Sequence, residues 1–217
     1  GPVGQFAILS AKLMGAGHIF AIDTIADRLA MARGQGAEVI DYNVEDPVET
    51  IKRLTGHIGV DRVIDAVGVD ANHPDRGPAA PKTQRQAEMF QQELQQVAPK
   101  TNPQGDNWHP GDAPSQVSQW SVQVVAKGGT ISIIGVYPPT VQHYPIGKAM
   151  NKNLHLNMGN CNHRKYIPSL IDLVQSNIVE PLGILTQTRS FSDAVAAYKA
   201  FDVRQPGWTK VELVPSA

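Results

Sequence analysis

Two glycines and an acid near the start of the chain have the spacing of a dinucleotide-binding motif. Gly1 and Gly4 lead into an apolar segment with helical periodicity, and Asp23 follows the next apolar run, nineteen residues after Gly4. Glycines let a backbone approach a pyrophosphate, a helix N-terminus offers amide donors, and an acid at the next strand's tip accepts hydrogen bonds from ribose hydroxyls. Only part of G-x-G-x-x-G is present, so we expect its first glycine and the preceding strand to lie upstream of residue 1.

Asp23 is the most informative polar residue of this motif. Its carboxylate in the ribose role favours NAD, because a 2'-phosphate would lie against a negative charge. The alternative interpretation is an ordinary acid that caps the following helix. Arg28 is either close to the same ribose or phosphate, or a solvated helical arginine.

Strand and helix patterns alternate along the chain and predict an α/β fold with a doubly wound, Rossmann-type parallel sheet, its first strand missing upstream. The strand ends carrying Val67 and Gly68, and Ile134, Gly135 and Val136, are expected to face the cofactor crevice. The predicted strands are 18–23, 38–42, 60–68, 130–137, 155–159, 183–188 and 209–214, and the predicted helices are a segment from Gly4, 26–33, 47–54, 83–97, 115–127, 146–151, 166–176 and 192–200.

Residues 69–118 interrupt this alternation with a stretch rich in Gln, Pro and Asn. So long a segment without strands is typical of an insertion. The simplest interpretation is a solvated surface excursion; the alternatives are a flap over the cofactor or a subunit contact.

Composition excludes several other classes of protein. The net charge is -1 and the Lys and Arg residues are scattered, so neither nucleic acid nor a membrane surface is an expected partner. No apolar run approaches the ~20 residues of a membrane span. One cysteine among 217 residues fits a reducing, cytoplasmic compartment.

Metal ligands are scarce in this chain. A catalytic zinc site needs about three protein ligands and a structural site four. The chain has one Cys and seven His, and the local pair Cys161 and His163 lacks a third partner. We therefore predict neither a metal site nor a catalytic residue within these 217 residues.

Several motifs in order resemble the coenzyme-binding half of the zinc-dependent medium-chain alcohol dehydrogenases. They are Gly1-Pro2-Val3-Gly4, Asp23 with Arg28-Leu29-Ala30, Gly36-Ala37 before a strand, Asp65-Ala66-Val67-Gly68, Gly128-Gly129 and Ile134-Gly135-Val136. Within that family, the insertion and Met158-Gly159-Asn160-Cys161-Asn162-His163 look most like the formaldehyde dehydrogenase-like branch.

The resemblance implies a C-terminal fragment of a longer, homo-oligomeric enzyme that transfers hydride between a small alcohol or aldehyde and NAD. Residues 1–157 would form the Rossmann domain, and residues 158–217 would return into a GroES-like catalytic domain. Catalytic and structural zinc ligands would lie upstream, so we expect the fragment alone to be inactive.

The resemblance also assigns cofactor contacts by position. Pro2 and Val3 would lie by the pyrophosphate, and Asp23 and Arg28 at the adenosine ribose. The nicotinamide side would take Val67, Gly68, Ile134, Gly135 and Val136, with backbone of Met158 at the carboxamide and Lys210 at a phosphate.

Two other classes of protein remain open. One is a non-catalytic Rossmann module that binds a ligand or partner. The other is a zinc-free quinone reductase-like protein that uses NADPH, against which Asp23 argues.

Overall fold

A computed structural model describes residues 1–97 and 111–215 of the chain. It has the predicted α/β character, with helices between successive strands. The helices are α1 Pro2–Leu13, α2 Ala26–Gly34, α3 Pro47–Leu54, α4 Ala80–Gln84, α5 Ala87–Val97, α6 Gln116–Val124, α7 Ile146–Asn151, α8 His163–Gln175 and α9 Ala194–Asp202. The strands are β1 Phe20–Asp23, β2 Glu38–Asp41, β3 Val60–Asp65, β4 Val125–Ile133, β5 His155–Met158, β6 Gln187–Ser190 and β7 Val211–Val214.

The strands form three sheets, with orders β1-β2, β3-β4-β5 and β6-β7. The β3-β4, β4-β5 and β6-β7 pairs are parallel. The strands alternate with helices and pair in parallel, which confirms the predicted fold class.

The chain divides into two compact units. The first unit contains Gly1–Ala21, Ile25–Val39 and Asn160–Ala217, and the second contains Ile22–Thr24 and Ile40–Gly159. The proposed division into a Rossmann domain at 1–157 and a return segment at 158–217 stays a prediction.

In the first unit, α1 and α2 pack together through both apolar and polar contacts. Ile8, Ala32 and Ala37 form a small buried cluster. The buried Gln5 side chain donates to the Arg28 carbonyl at 2.9 Å and accepts from Gln35 Nε2 at 2.6 Å. These bonds fix the start of α1 against α2, because a buried amide without partners would be costly.

In the second unit, the core lies between α6, α7 and the three-stranded sheet. Val122, Val125, Ile131 and Ala149 are its buried members. Ile131 pairs with Val63 on one side and Leu156 on the other, which makes β4 the central strand of this sheet.

The boundary between α6 and β4 differs from the sequence prediction. Gly128-Gly129 does not end a helix that reaches residue 127; the helix ends at Val124 and the strand begins at Val125. Pairing shifts from Val60 opposite Val125 to Arg62 opposite Thr130. The glycines therefore lie where the pairing of β3 with β4 is interrupted, and Gly128 has φ 74° there.

Other boundaries of strands and helices differ from the sequence prediction by a few residues. The predicted strand 60–68 ends at Asp65, and the predicted helix 83–97 is two helices, α4 and α5. The predicted strand 183–188 is replaced by a 3-10 helix at Pro181–Ile184 followed by β6. No helix among the described residues has the length and apolarity needed to cross a bilayer.

The predicted insertion is not a solvated excursion over its described parts, 69–97 and 111–118. Gly111 and Ala113 amides donate to the carbonyls of Val69 and Ala71, at 3.0 Å each, so its two arms run side by side. His73 Nδ1 lies 2.7 Å from Asp112 Oδ2 and joins the same arms. This correction follows from long-range packing; residues 98–110 of the insertion lie outside the described residues.

A buried acid attaches the insertion helix α5 to the start of α6. Glu93 is 3% exposed, and its carboxylate accepts hydrogen bonds from Ser115 Oγ at 2.7 Å and Ser115 N at 3.0 Å. Burial raises the pKa of Glu93 above its ordinary value, although the Ser115 bonds act in the opposite direction. His143 Nδ1 lies 3.9 Å from the same carboxylate.

We expect Glu93→Gln to change how stability depends on pH. Because the Glu93 pKa is raised in the folded state, its contribution is full below the unfolded pKa and is lost as pH rises through the folded pKa. The stability of the wild type relative to Glu93→Gln is therefore expected to rise on acidification from pH ~7 towards pH ~4.5. Urea unfolding at several pH values measures this difference, with the exposed Glu88→Gln as the control and His143→Gln to separate the imidazole. A difference that is the same at every pH would contradict the expectation.

Candidate nucleotide-binding site

The first unit presents the start of α1 with the four residues of the glycine motif. Gly1 is the N-cap and Pro2 the first helical residue, where its fixed φ and missing N–H are tolerated. The first backbone bond of the helix runs from Gln5 N to Gly1 O at 3.1 Å. The Val3 and Gly4 amides precede this bond and have no acceptor within the helix, so they suit an anion.

Arg28 brings a positive charge to the same helix end. A Cβ on Gly1 would lie 3.7 Å from Arg28 Cζ, so the glycine leaves the guanidinium close to the motif backbone. The first turn of α1 contains no acid. Arg28 and Gly1 are therefore neighbours, and a positive charge beside free helix amides favours the binding of a phosphate.

The C-terminal segment contacts α2 next to Arg28. The Gly207 amide donates to Asp27 Oδ2 at 2.5 Å, and Trp208 and Thr209 line a narrow cleft with Arg28. Three residues after Gly207, the exposed Lys210 has its backbone fixed at Thr186, whose Oγ1 accepts from the Lys210 amide at 3.1 Å. Sequence spacing did not reveal the Asp27 contact, because 180 residues separate the two partners.

Asp23 ends β1 and belongs to the second unit. Its Oδ1 accepts from the Thr24 amide at 2.8 Å, and its carbonyl accepts from the Tyr42 amide at 3.3 Å. The N-cap of α2 is Ile25, two residues further on, so the observed cap is not Asp23. The half-buried carboxylate is held at the carboxyl end of a strand, the position that the ribose interpretation requires.

The second unit also brings together the predicted residues at its strand ends. Val67, Ile134, Val136 and Met158 all have exposed side chains at the carboxyl edge of β3, β4 and β5. Gly68 forms an isolated parallel bridge with Val136. A Cβ on Gly68 would overlap the Val136 backbone, and a Cβ on Gly135 would overlap Gly68. The two segments of the chain therefore meet at a crossing where only glycine fits.

Asp65 fixes this crossing and was not predicted to do so. It is 1% exposed; Oδ1 accepts from the Val67 and Gly68 amides at 2.9 Å, and Oδ2 accepts from the Tyr137 hydroxyl at 2.7 Å. Burial and the Asp65 carboxylate raise the pKa of Tyr137, so that hydroxyl stays a donor. An acid just before the pair Val67-Gly68 was the only sequence signal.

One depression in the first unit lies away from the carboxyl ends of the strands. A depression of about 260 Å³ lies beside His18, Ile19 and Glu38, at the amino ends of β1 and β2 rather than at the carboxyl ends where such sheets bind ligands. Within residues 1–97 and 111–215, no group of three or more His, Cys, Asp or Glu side chains is arranged to hold a metal ion.

The sequence is similar to zinc-type dehydrogenases. Residues 2–75 match the family described as zinc-binding dehydrogenase. The chain is 31% identical over 217 residues to the uncharacterized zinc-type alcohol dehydrogenase-like protein AdhB of Bacillus subtilis, covering 99% of this chain and 50% of that protein. It is 29% identical over 208 residues to a glutathione-independent formaldehyde dehydrogenase of Pseudomonas aeruginosa, covering 95% of this chain and 48% of that protein.

A solved alcohol dehydrogenase structure also has a similar fold. The alcohol dehydrogenase TADH from Thermus sp. ATN1 is similar over 100% of this chain and 50% of its own, with a TM-score of 0.72 and 26% identity. The matched family, both relatives and this structure are each described as dehydrogenases or dehydrogenase-like proteins. The chain spans about half the length of the curated relatives it matches.

Proposed function

We propose that this chain is the NAD-binding part of a zinc-type alcohol dehydrogenase. The observation that carries the proposal is the placement of Asp23 at the carboxyl end of β1, in a chain whose α1 N-terminus adjoins Arg28. An acid at that position accepts ribose hydroxyls and disfavours a 2'-phosphate, so NAD rather than NADP is the cofactor we infer.

Each unit contains residues that suit one part of such a dinucleotide. The Val3 and Gly4 amides and the Arg28 guanidinium would hold the pyrophosphate, with Lys210 as a further phosphate contact. Asp23 would hold the adenosine ribose. The strand ends around Gly68 and Gly135 would form the wall beside the nicotinamide, and the Met158 backbone would meet its carboxamide.

Bound NAD supplies the hydride acceptor for oxidation of the alcohol. The described residues bind and orient it: a helix N-terminus for the anion, a carboxylate for the diol, and apolar side chains that exclude water from the strand ends. We propose that the zinc ligands lie elsewhere in the whole protein, and that this protein acts on small alcohols or aldehydes as a homo-oligomer. A formaldehyde-type substrate stays a prediction, since AdhB and the formaldehyde dehydrogenase match to similar extents.

The long insertion has a proposed place in this function. It lies within the second unit and directly follows Val67-Gly68 at the strand ends, so we propose that it partly covers the bound cofactor. Removal of residues 72–112 with no change in NAD affinity or release rate would refute this role.

Calorimetric titration with NAD and NADP tests the cofactor proposal in the protein at its full natural length. We expect NAD to bind at least about tenfold more tightly than NADP, the factor that 1.4 kcal/mol represents. Tighter NADP binding would support a quinone reductase-like protein, and binding of NAD without any zinc-dependent oxidation of alcohols would support a non-catalytic module.

A further inference from the structure

We propose that Asn43 is a positioning residue that couples the insertion to the turn carrying Asp23. The inference rests on the proposed function, because it assumes that Asp23 contacts the cofactor. All of its contacts lie within the second unit.

On one side, the Asn43 side chain holds the turn after β1. Its Nδ2 donates to Thr24 Oγ1 at 2.9 Å, and Thr24 Oγ1 donates to Asp41 Oδ1 at 2.9 Å. The Asn43 amide donates to the same Asp41 oxygen at 2.9 Å. Since the Thr24 hydroxyl is both a donor and an acceptor here, its orientation is fixed, and its backbone amide is the donor to Asp23 Oδ1.

On the other side, Asn43 holds the first arm of the insertion. Its Oδ1 accepts from the Asp75 amide at 2.9 Å. Gly77, with φ 76°, passes so near that a Cβ there would lie 2.6 Å from the Asn43 carbonyl oxygen. The insertion therefore packs tightly on this residue, and a small shift at Asn43 would be transmitted to both sides.

Burial makes these bonds important. Asn43 is 8% exposed, so each broken bond leaves a polar group partly shielded from water. The asparagine amide donates to Thr24 Oγ1 and accepts from the Asp75 amide at the same time. Aspartate would lose the donor and place a second carboxylate beside Asp41.

Reciprocal coupling gives the proposal a specific consequence. If cofactor binding at Asp23 restrains the Thr24 turn, it also restrains Asn43 and hence the Asp75 amide. Lys82 attaches the insertion separately, through Asp46 Oδ2 at 2.7 Å and Glu49 Oε1 at 3.1 Å. Breaking that anchor is expected to loosen the insertion without removing its response to the cofactor.

Amide hydrogen exchange with and without NAD tests this coupling in the protein at its full natural length. In the wild type we expect NAD to slow exchange at least about threefold in residues 72–77 as well as in α1. In Asn43→Ala the slowing at 72–77 is expected to disappear while that in α1 remains, and NAD affinity to fall about three- to tenfold. Lys82→Met is expected to keep the response of residues 72–77.

Two further variants test the coupling if Asn43→Ala does not fold, and control for a general loss of stability. Thr24→Val removes only the hydroxyl and is expected to act like Asn43→Ala, even if the latter fails to fold. Thr55→Ala controls for general destabilisation. It removes the hydroxyl that accepts from the Gly59 amide at the C-terminal end of α3, away from Asn43 in the sequence.

The results separate this inference from the proposed function. If NAD protects α1 but not residues 72–77 in the wild type, or if Asn43→Ala or Thr24→Val retains the response at 72–77, the coupling is refuted and the cofactor site stands. If NAD protects neither region and Asp23→Ala leaves affinity unchanged, the proposed function fails, and the coupling with it.

Discussion

Replacing Asp23 by alanine is expected to weaken NAD binding by about 10- to 100-fold. The ribose hydroxyls would lose a charged acceptor, and hydrogen bonds to charged groups contribute about 1.5–3 kcal/mol. NADP binding is expected to fall less or to improve, because the carboxylate that would repel a 2'-phosphate is gone. Equilibrium titration with both cofactors gives the two affinities and their ratio.

Two matched variants make this result specific. Asp23→Asn keeps an oxygen for the Thr24 amide and removes the charge, so it is expected to lower the NAD preference while retaining the local turn. The exposed Asp61→Ala removes an acid at the start of β3 and is expected to change neither affinity. Equal losses for NAD and NADP in Asp23→Ala would show that this acid does not choose the cofactor.

Replacing Asp65 by alanine is expected to destabilise the protein by about 3–5 kcal/mol, because three donors lose their acceptor and each buried donor left unpaired costs about 1–3 kcal/mol. The Val67 and Gly68 amides and the Tyr137 hydroxyl would each lose their acceptor. Because these donors set the chain crossing at Gly68, NAD affinity is expected to fall as well. Urea unfolding followed by circular dichroism measures the stability.

A graded series identifies which bonds matter. Tyr137→Phe removes one hydrogen bond and keeps the two amide bonds, so a loss of about 1–2 kcal/mol is expected. The loss of stability in Asp65→Asn is expected to fall between those of Tyr137→Phe and Asp65→Ala. The asparagine amide keeps one oxygen acceptor, but its NH2 group is a donor that faces other donors. An Asp65→Ala protein that unfolds at the wild-type urea concentration would contradict the role given to this carboxylate.

The sequence predicted the local elements well, for a physical reason. Apolar periodicity and the glycine, proline and capping residues act over a few positions, so α1, α2, α3 and the five strands of the doubly wound pattern could be predicted. Their carboxyl ends then followed from parallel topology alone. That placed Val67, Gly68, Ile134, Gly135 and Val136 at one edge of the sheet before any coordinates were considered.

The same local rules gave a wrong boundary where a distant strand decided the outcome. Gly128-Gly129 has the composition of a helix end, yet pairing with β3 on both sides of it places it in an irregular stretch inside β4. The insertion has the composition of a solvated loop, yet Glu93 is buried against Ser115 and Asn43 holds Asp75. Composition does not report which polar groups find partners far along the chain.

The sequence by itself therefore determined the α/β alternation, the glycine motif with Asp23, and the scarcity of metal ligands. The tertiary structure alone decided that Arg28 adjoins Gly1, that Asp27 holds Gly207, and that Asp65 receives the hydroxyl of Tyr137 72 residues later. Short-range propensities depend on neighbouring residues, whereas these contacts exist only once packing has brought distant segments within hydrogen-bonding distance.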